Sequence, residues 1–165
     1  MDIRLADSTH IPGLIRLLKQ VGQVHHDIRP DIFPTGTQKY DETQLAALLQ
    51  DENCPIFVSL AGDTVTGYCF CQISHYPAAT CSVAHSELYI DDLCVDENHR
   101  GQGIATALYR HVVDYARQAG IRDITLNVWC GNDNALRFYE KMGMTPRKIM
   151  MEQKCLPLGE GGKNL

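Results

Sequence analysis

The residues of this chain best suited to chemistry form a short turn, which reads Arg100, Gly101, Gln102, Gly103, Ile104 and Ala105. The turn follows an apolar, β-prone run at 88–95 and opens a helical pattern. The first N–H groups of a helix and the positive end of its dipole favour phosphate. The two glycines let an anion approach the main chain closely. The pattern therefore predicts a binding turn for a phosphorylated cofactor.

Two widespread phosphate-binding motifs do not fit this turn. The triphosphate-binding loop needs a lysine directly after its last glycine, and no lysine follows Gly103. The dinucleotide motif needs a third glycine or alanine where this chain has Thr106. An ordinary loop with two glycines is the remaining alternative, but the order of strand, turn and helix favours a binding turn.

A second segment of interest covers residues 132–144. Ala135, Phe138, Tyr139 and Met142 fall at i, i+3, i+4 and i+7, which gives a helix one apolar face. On this spacing alone, Tyr139 is predicted to be a core aromatic residue whose hydroxyl reaches water.

Together the two segments resemble the GNAT superfamily of N-acetyltransferases. The acetyl-CoA signature of that family is matched by Arg100, Gly103 and Ala105. Its second cofactor motif is matched by Asn132, Ala135, Phe138, Tyr139, Glu140, Lys141 and Gly143. The order of elements also fits from residue 3 to about residue 156. The fit is weakest at 21–40, where such proteins build the acceptor site.

The resemblance implies an enzyme that moves the acetyl group of acetyl-CoA to a primary amine by direct attack in a ternary complex. It implies that main chain at 102–105 holds the pyrophosphate, main chain at Leu93 and Val95 pairs with the pantetheine arm, and Tyr139 protonates the departing thiolate. The cofactor-binding residues implied are Leu93, Val95, Arg100, Gly101, Gln102, Gly103, Ile104, Ala105 and Asn132.

Carboxylates just upstream of Leu93 are candidates for taking a proton from the acceptor. An amine with a pKa near 10.4 is neutral in only about one molecule in 10³ at pH 7, a cost of roughly 4–5 kcal/mol. The resemblance makes Asp91 the first choice of base and Asp92 the second, while Glu87 can act from the substrate side through water. Alternation points Asp91 and Asp92 to opposite faces unless a bulge intervenes. A carboxylate that is merely solvated or hydrogen-bonded is the alternative for each.

The acceptor side is the least specified part of the chain. Phe33 and Tyr40 are candidate walls of the acceptor pocket, in a region stiffened by Pro30 and Pro34. We expect a small-molecule or peptide amine, and the sequence leaves its identity, other acyl groups and a homodimer open. The alternative function is an acyl-CoA-binding regulatory module without catalysis, which would not need the proton donor or the base.

Periodicity and capping residues predict the elements that position these groups. Strands are predicted at 3–6, 55–61, 65–76, up to Val95, 124–129 and 149–156. Helices are predicted from the caps at 7–9, from Asp41 through Leu49, over 104–119 and from 132 or 133 to 142, with 25–36 as a loop or broken helix. This order predicts an α/β (α+β) fold with helices on both faces of a mixed sheet. The resemblance adds a mostly antiparallel sheet whose fourth and fifth strands splay apart.

Length and composition limit the remaining possibilities. A chain of 165 residues suggests one domain over 1–156 followed by a flexible tail at 157–165. The net charge of −5 argues against nucleic acid or an anionic membrane as partner. The seven cysteines include no C-x-x-C pair, so we expect reduced thiols, no metal and a cytoplasmic protein. No leader is recognised, and no apolar run approaches the roughly 20 residues of a membrane helix.

Overall fold

A five-stranded sheet organises most of the chain, in a computed structural model that describes residues 1–155. The strands are β1 (Asp2–Leu5), β2 (Ile56–Ala61), β3 (Thr64–Tyr76), β4 (His85–Val95) and β5 (Asp123–Leu126). The α-helices of the described residues are α1 (Ile11–Ile28), α2 (Glu42–Leu48), α3 (Ile104–Gln118) and α4 (Asp133–Lys141). Residues 1–133 form one compact unit, and a second unit begins at Asn134.

The strands lie side by side in chain order, from β1 to β5. Each neighbouring pair is antiparallel except β4 and β5, which are parallel. The hairpin between β2 and β3 turns at Gly62, whose φ of +59° is a conformation that favours glycine. Asp41 caps α2 through a capping box with Gln44, as its position before the helical pattern predicts. The predicted mixed, mostly antiparallel sheet is confirmed.

Helices cover both faces of the sheet. The face under α1 and α2 holds a core of apolar side chains, namely Leu14, Leu17, Leu18, Leu45, Ile56, Val58, Leu60, Val65, Tyr68, Phe70 and Cys94. On the other face, Phe57 packs edge-on against His111 and Tyr115 of α3, with ring centroids 4.9 and 5.1 Å apart. Gly67 permits this close approach, because an added Cβ would lie 3.0 Å from Cγ2 of Ile104.

The register of β4 changes at Asp91. Cys71 of β3 pairs with Ile90, but the preceding residue Phe70 pairs with Asp92, so Asp91 is the extra residue of a β-bulge. β5 pairs with β4 only up to Ile90. Past the bulge, the rest of β4 has β3 as its one partner strand among residues 1–155. The fourth and fifth strands therefore separate at the bulge, and the prediction that they splay apart is confirmed.

The region predicted to be a loop or a broken helix, residues 25–36, begins as helix. Residues 25–28 are the last turn of α1, because no proline falls between the first turn of the helix and Pro30. The helix stops at the residue before that proline, where Arg29 has φ of −137° and ψ of 69°. A proline disfavours helical backbone in the residue before it, so the chain leaves the helix here.

One predicted strand ends too late, and another predicted strand is not formed in the described residues. β5 ends at Leu126 and does not reach residue 129. The structure has no strand at residues 149–155, and the side chains of Ile149, Met150 and Met151 are exposed there, so no apolar contact stabilises pairing. Leu156, the predicted last residue of that strand, and the predicted tail at 157–165 lie outside the described residues.

Candidate active site

The glycine turn forms between the end of β4 and the start of α3. Gly101 and Gly103 have φ of +76° and +80°, a left-handed conformation that side chains other than glycine rarely adopt. An added Cβ at either glycine would meet nothing within 4 Å, so the backbone angle explains the glycines. Gly103 is the N-cap of α3, and the first N–H groups of this helix therefore have no side-chain cap. Such a helix start has the donors and the dipole that hold a phosphate.

A buried carboxylate anchors the approach to this turn. Asp96, directly after β4, accepts hydrogen bonds from the guanidinium of Arg16 and from the backbone N–H of Asn98. Arg16 also donates to the carbonyl of Val65 at 2.7 Å, and the Asp96 N–H donates to the carbonyl of Thr66 at 3.0 Å. Burial alone would raise the pKa of Asp96, but these hydrogen bonds outweigh it and lower the pKa to about 2. These hydrogen bonds connect the segment before the turn to α1 and β3.

The unpaired edge of β4 leads into the turn. It runs from the bulge at Asp91 through Leu93 to Val95, the two residues predicted to pair with a pantetheine arm. A strand edge of this kind presents backbone N–H and C=O groups. The Nε of Arg100 donates to the carbonyl of Val95 at 3.3 Å, so this side chain folds back onto the strand that precedes the turn.

The bulge places both adjacent carboxylates on the α1–α2 face of the sheet. Asp92 accepts a hydrogen bond from the hydroxyl of Tyr68, a residue of that core, at 2.8 Å. Asp91 accepts from the hydroxyl of Tyr40 at 2.9 Å and from Nζ of Lys39 at 2.6 Å. The bulge is the exception that the sequence analysis allowed for, because the extra residue resets the alternation of side chains.

The two carboxylates differ in burial. Asp92 is 9% exposed, and burial raises its pKa from 3.8 to about 6, although the Tyr68 hydroxyl and the charge of Lys39 act in the opposite direction. The Asp91 side chain is 23% exposed and reaches its partners from the side of the loop before α2. Asp92 is thus buried with a raised pKa, whereas Asp91 is partly exposed.

A cavity of about 130 Å³ opens beside Asp91. It is lined by Tyr40, Leu48, Cys54, Ile56, Phe70 and Asp91, together with Cys71 and Gln72. Tyr40 stacks on Phe70 with ring centroids 5.6 Å apart. Burial and the hydrogen bond to Asp91 raise the pKa of Tyr40 well above 10, so its hydroxyl is a donor at neutral pH. Tyr40, which is predicted to line the acceptor pocket, therefore lines a cavity that also contains the Asp91 carboxylate.

Phe33, the other predicted wall, contacts different aromatic residues. Its ring lies 5.2 Å from His25 and 5.4 Å, edge-on, from Trp129, and the guanidinium of Arg29 lies 5.7 Å from the Trp129 ring centroid. Burial, with a smaller effect from the charge of Lys39, lowers the pKa of His25. The sequence reasoning missed Trp129, because the strand predicted to contain it ends three residues earlier.

Glu87 lies toward the opposite end of β4. It pairs in register with Ser74 of β3 and with Asp123 of β5. Four residues separate it from Asp91, which corresponds to ~13 Å along a strand. Glu87 is therefore too far along the strand for direct contact with a group held at Asp91.

The residues of the second predicted motif fall in both units. Asn132 follows β5 in the first unit, and its N–H donates to the carbonyl of Trp129 at 2.9 Å. Tyr139 lies on α4 in the second unit, with its ring 5.1 Å from that of Phe138. The cofactor contact of Asn132 and the proton-donor role of Tyr139 stay predictions.

Residues 1–155 contain no group of three or more His, Cys, Asp or Glu side chains arranged to hold a metal ion. No helix within the same residues has the length and apolar character needed to cross a membrane.

Several known proteins of similar sequence are named as acetyltransferases. Streptothricin acetyltransferase of Streptomyces lavendulae is 31% identical over 94 residues, which cover 57% of this chain and 46% of that protein. N-alpha-acetyltransferase 30 of Schizosaccharomyces pombe is 32% identical over 87 residues, which cover 53% of this chain and 55% of that protein. The chain thus spans about half the length of these two relatives.

Solved structures have the same fold. A mutant of the BH1408 protein from Bacillus halodurans superposes with a TM-score of 0.90 at 29% identity, over 94% of this chain and 100% of that one. The aminoglycoside acetyltransferase meta-AAC0020, from an uncultured soil metagenomic sample and in complex with sisomicin, gives a TM-score of 0.71 at 20% identity, over 94% and 96% of the two chains. The family model for the acetyltransferase (GNAT) family matches residues 21–144. The chain therefore belongs to the GNAT family of acetyltransferases.

Proposed function

We propose that this chain transfers the acetyl group of acetyl-CoA to a primary amine, which attacks the thioester directly in a ternary complex. The GNAT family uses acetyl-CoA as its cosubstrate. The observation that carries the proposal is the continuous path along β4. Its unpaired edge begins at the carboxylate pair and ends at the uncapped start of α3. A long cosubstrate with a reactive end and a phosphate end fits such a path.

The phosphate end fits the glycine turn. Backbone N–H groups of residues 102–105 would hold the pyrophosphate, with the dipole of α3 behind them. Main chain at Leu93 and Val95 would pair with the amides of the pantetheine arm, in the manner of an added strand. Arg100 would turn from the Val95 carbonyl to the phosphates, and Asn132 would contact the arm.

The reactive end requires a proton acceptor for the amine. At neutral pH an alkylamine is an ammonium, and roughly 4–5 kcal/mol separates it from the attacking form. Asp91 is the proposed base because it lines the cavity and is accessible to a bound ammonium. After proton removal, the amine nitrogen bonds to the thioester carbon, the carbon–sulfur bond breaks, and Tyr139 would protonate the leaving sulfur.

Asp92 is proposed as the carboxylate that supports Asp91. Its pKa of about 6 means that it accepts or releases a proton close to neutral pH. Perturbed carboxylates beside a cavity are typical of sites that move protons. This feature favours an enzyme over an acyl-CoA-binding module without catalysis. In such a module, a buried ionisable acid would lower the stability of the fold and would have no proton to transfer.

The acceptor is proposed only as a class. The names of the relatives specify different acceptors, a streptothricin in one case and an N-alpha group in the other. The cavity is small and mostly apolar, and its wall contains a carboxylate with two hydrogen-bond partners. These features favour an acceptor that has a primary ammonium group on an alkyl chain.

A thiol-release assay with acetyl-CoA and a panel of polyamines, aminoglycosides, amino acids and peptide N-termini tests the proposal. Turnover with at least one amine is expected. Asp91→Asn should lower kcat by about 10²–10⁴-fold with little change in acetyl-CoA affinity. Asp114→Asn is the matched control, since Asp114 is an exposed carboxylate paired with Arg117 on α3. Tight acetyl-CoA binding without turnover of any amine would instead support the regulatory module.

A further inference from the structure

A lysine of the chain itself reaches the carboxylate proposed as the base. Lys39 lies in the loop between α1 and α2, and its Nζ donates to Oδ1 of Asp91 at 2.6 Å. The other oxygen of Asp91 accepts from the hydroxyl of Tyr40. The Lys39 ammonium also lies 5.6 Å from the centroid of the Tyr40 ring, within the range of a cation–π contact. A primary ammonium thus occupies the place expected for the acceptor.

We propose that Lys39 is a self-acetylation site, acetylated at Nζ by the same molecule from bound acetyl-CoA. The proposal rests on the proposed function and adds an internal acceptor to it. Asp91 is the bulge residue at which β4 leaves β5 and its unpaired edge begins. The cosubstrate arm is assigned to that edge, so the thioester end and the Lys39 amine meet at the same residue.

The chemistry of the step balances without another reactant. Asp91 takes one proton from the Lys39 ammonium, and the neutral Nζ attacks the thioester carbon. The carbon–nitrogen bond forms, the carbon–sulfur bond breaks, and the leaving sulfur of coenzyme A takes the second proton of the amine. The product is a neutral amide, which has lost the charge that pairs with Asp91.

The position of Lys39 also makes it a competitor of external amines. An ammonium acceptor that binds at Oδ1 of Asp91 must first displace the Lys39 ammonium. The Lys39 side chain is 42% exposed, so it can swing into solvent when an acceptor enters. A good acceptor should therefore slow the acetylation of Lys39 in proportion to its occupancy of the site.

Peptide mass spectrometry of the full chain incubated with acetyl-CoA alone tests the proposal. Lys19, an exposed lysine of α1, reports the background of chemical acetylation. Because the positioned amine reacts within one molecule, Lys39 should be acetylated at least ~10-fold faster than Lys19. The first-order rate should not change with protein concentration. Asp91→Asn should bring the Lys39 rate down to that of Lys19, whereas Asp114→Asn should not.

The outcomes separate this proposal from the proposed function. If external amines are turned over but Lys39 is labelled no faster than Lys19, self-acetylation is overturned and the proposed enzymatic function stands. A labelling rate that rises with protein concentration overturns the within-molecule step. Absence of both labelling and amine turnover overturns both proposals. Lys39→Arg keeps a cation beside Asp91 and removes the acceptor amine, so acetyl label should be lost from the peptide that contains residue 39.

Discussion

Replacement of Asp92 by asparagine is expected to stabilise the protein at neutral and alkaline pH. Asp92 is 9% exposed, and burial raises its pKa from 3.8 to about 6. The folded protein therefore holds the proton of this carboxyl more tightly than the unfolded chain does. The contribution of Asp92 to stability is fully favourable below about pH 4 and is lost as the pH rises through about 6.

The size of the effect follows from these two pKa values. They differ by about two pH units, and at ~1.4 kcal/mol per unit the ionised carboxylate costs ~3 kcal/mol of stability above pH 7. Asparagine has the same shape, and its amide oxygen can accept the hydrogen bond from the Tyr68 hydroxyl. A neutral hydrogen bond is weaker than one to a carboxylate, so we expect a net gain of about 1–3 kcal/mol at pH 8.

Urea unfolding of the parent and of Asp92→Asn between about pH 4 and pH 8 measures this gain. The free energies of unfolding should converge at the acidic end and separate progressively toward the alkaline end. Asp91→Asn is the matched control, because its more exposed carboxylate pairs with Lys39 and should change stability by at most about 1 kcal/mol. An Asp92→Asn protein less stable than the parent at pH 8, with a difference that does not vary with pH, would refute the reasoning.

Three further predictions concern the same site. Tyr68→Phe removes a hydrogen bond that lowers the pKa of Asp92, so the carboxyl resonance of Asp92 should titrate above about pH 6; an unchanged titration contradicts this. Gly103→Ala and its control Gly62→Ala both force alanine into a left-handed conformation and should each cost about 1–2 kcal/mol in urea unfolding, but only Gly103→Ala should weaken acetyl-CoA binding in a titration. Asp96→Asn loosens the approach to the glycine turn and should raise KM for acetyl-CoA about 10-fold with a smaller change in kcat; a fall in kcat alone would place Asp96 outside cofactor binding.

The features that the sequence predicts well are local ones. The glycines of the turn and the N-cap at Asp41 each act within four or five residues, so their neighbours in the chain determine them. The apolar period of α3 likewise predicts its buried side through Ile104, Leu108 and Val112. Element order and the family resemblance then extend these local features to the sheet and to its splayed strands.

The contacts that organise the candidate site are not local. Lys39 and Tyr40 meet Asp91 across 52 and 51 residues, and Arg16 meets Asp96 across 80. No spacing rule relates such positions, because the sheet and the helix packing bring them together. The bulge at Asp91 is also invisible to periodicity, since one extra residue changes the pattern only after the strand has been paired.

The bulge explains how two adjacent acids come to lie on one face of the sheet. In a regular strand, Asp91 and Asp92 would face opposite sides, and one of them would be buried under α3 without the tyrosines. Placing both on one face brings like charges together, which by itself is unfavourable. Lys39 supplies a compensating cation, and the hydroxyls of Tyr40 and Tyr68 supply one donor to each carboxylate. Neutralisation of Lys39 would remove this compensating cation, and under the proposed function the ammonium group of a bound acceptor would replace it.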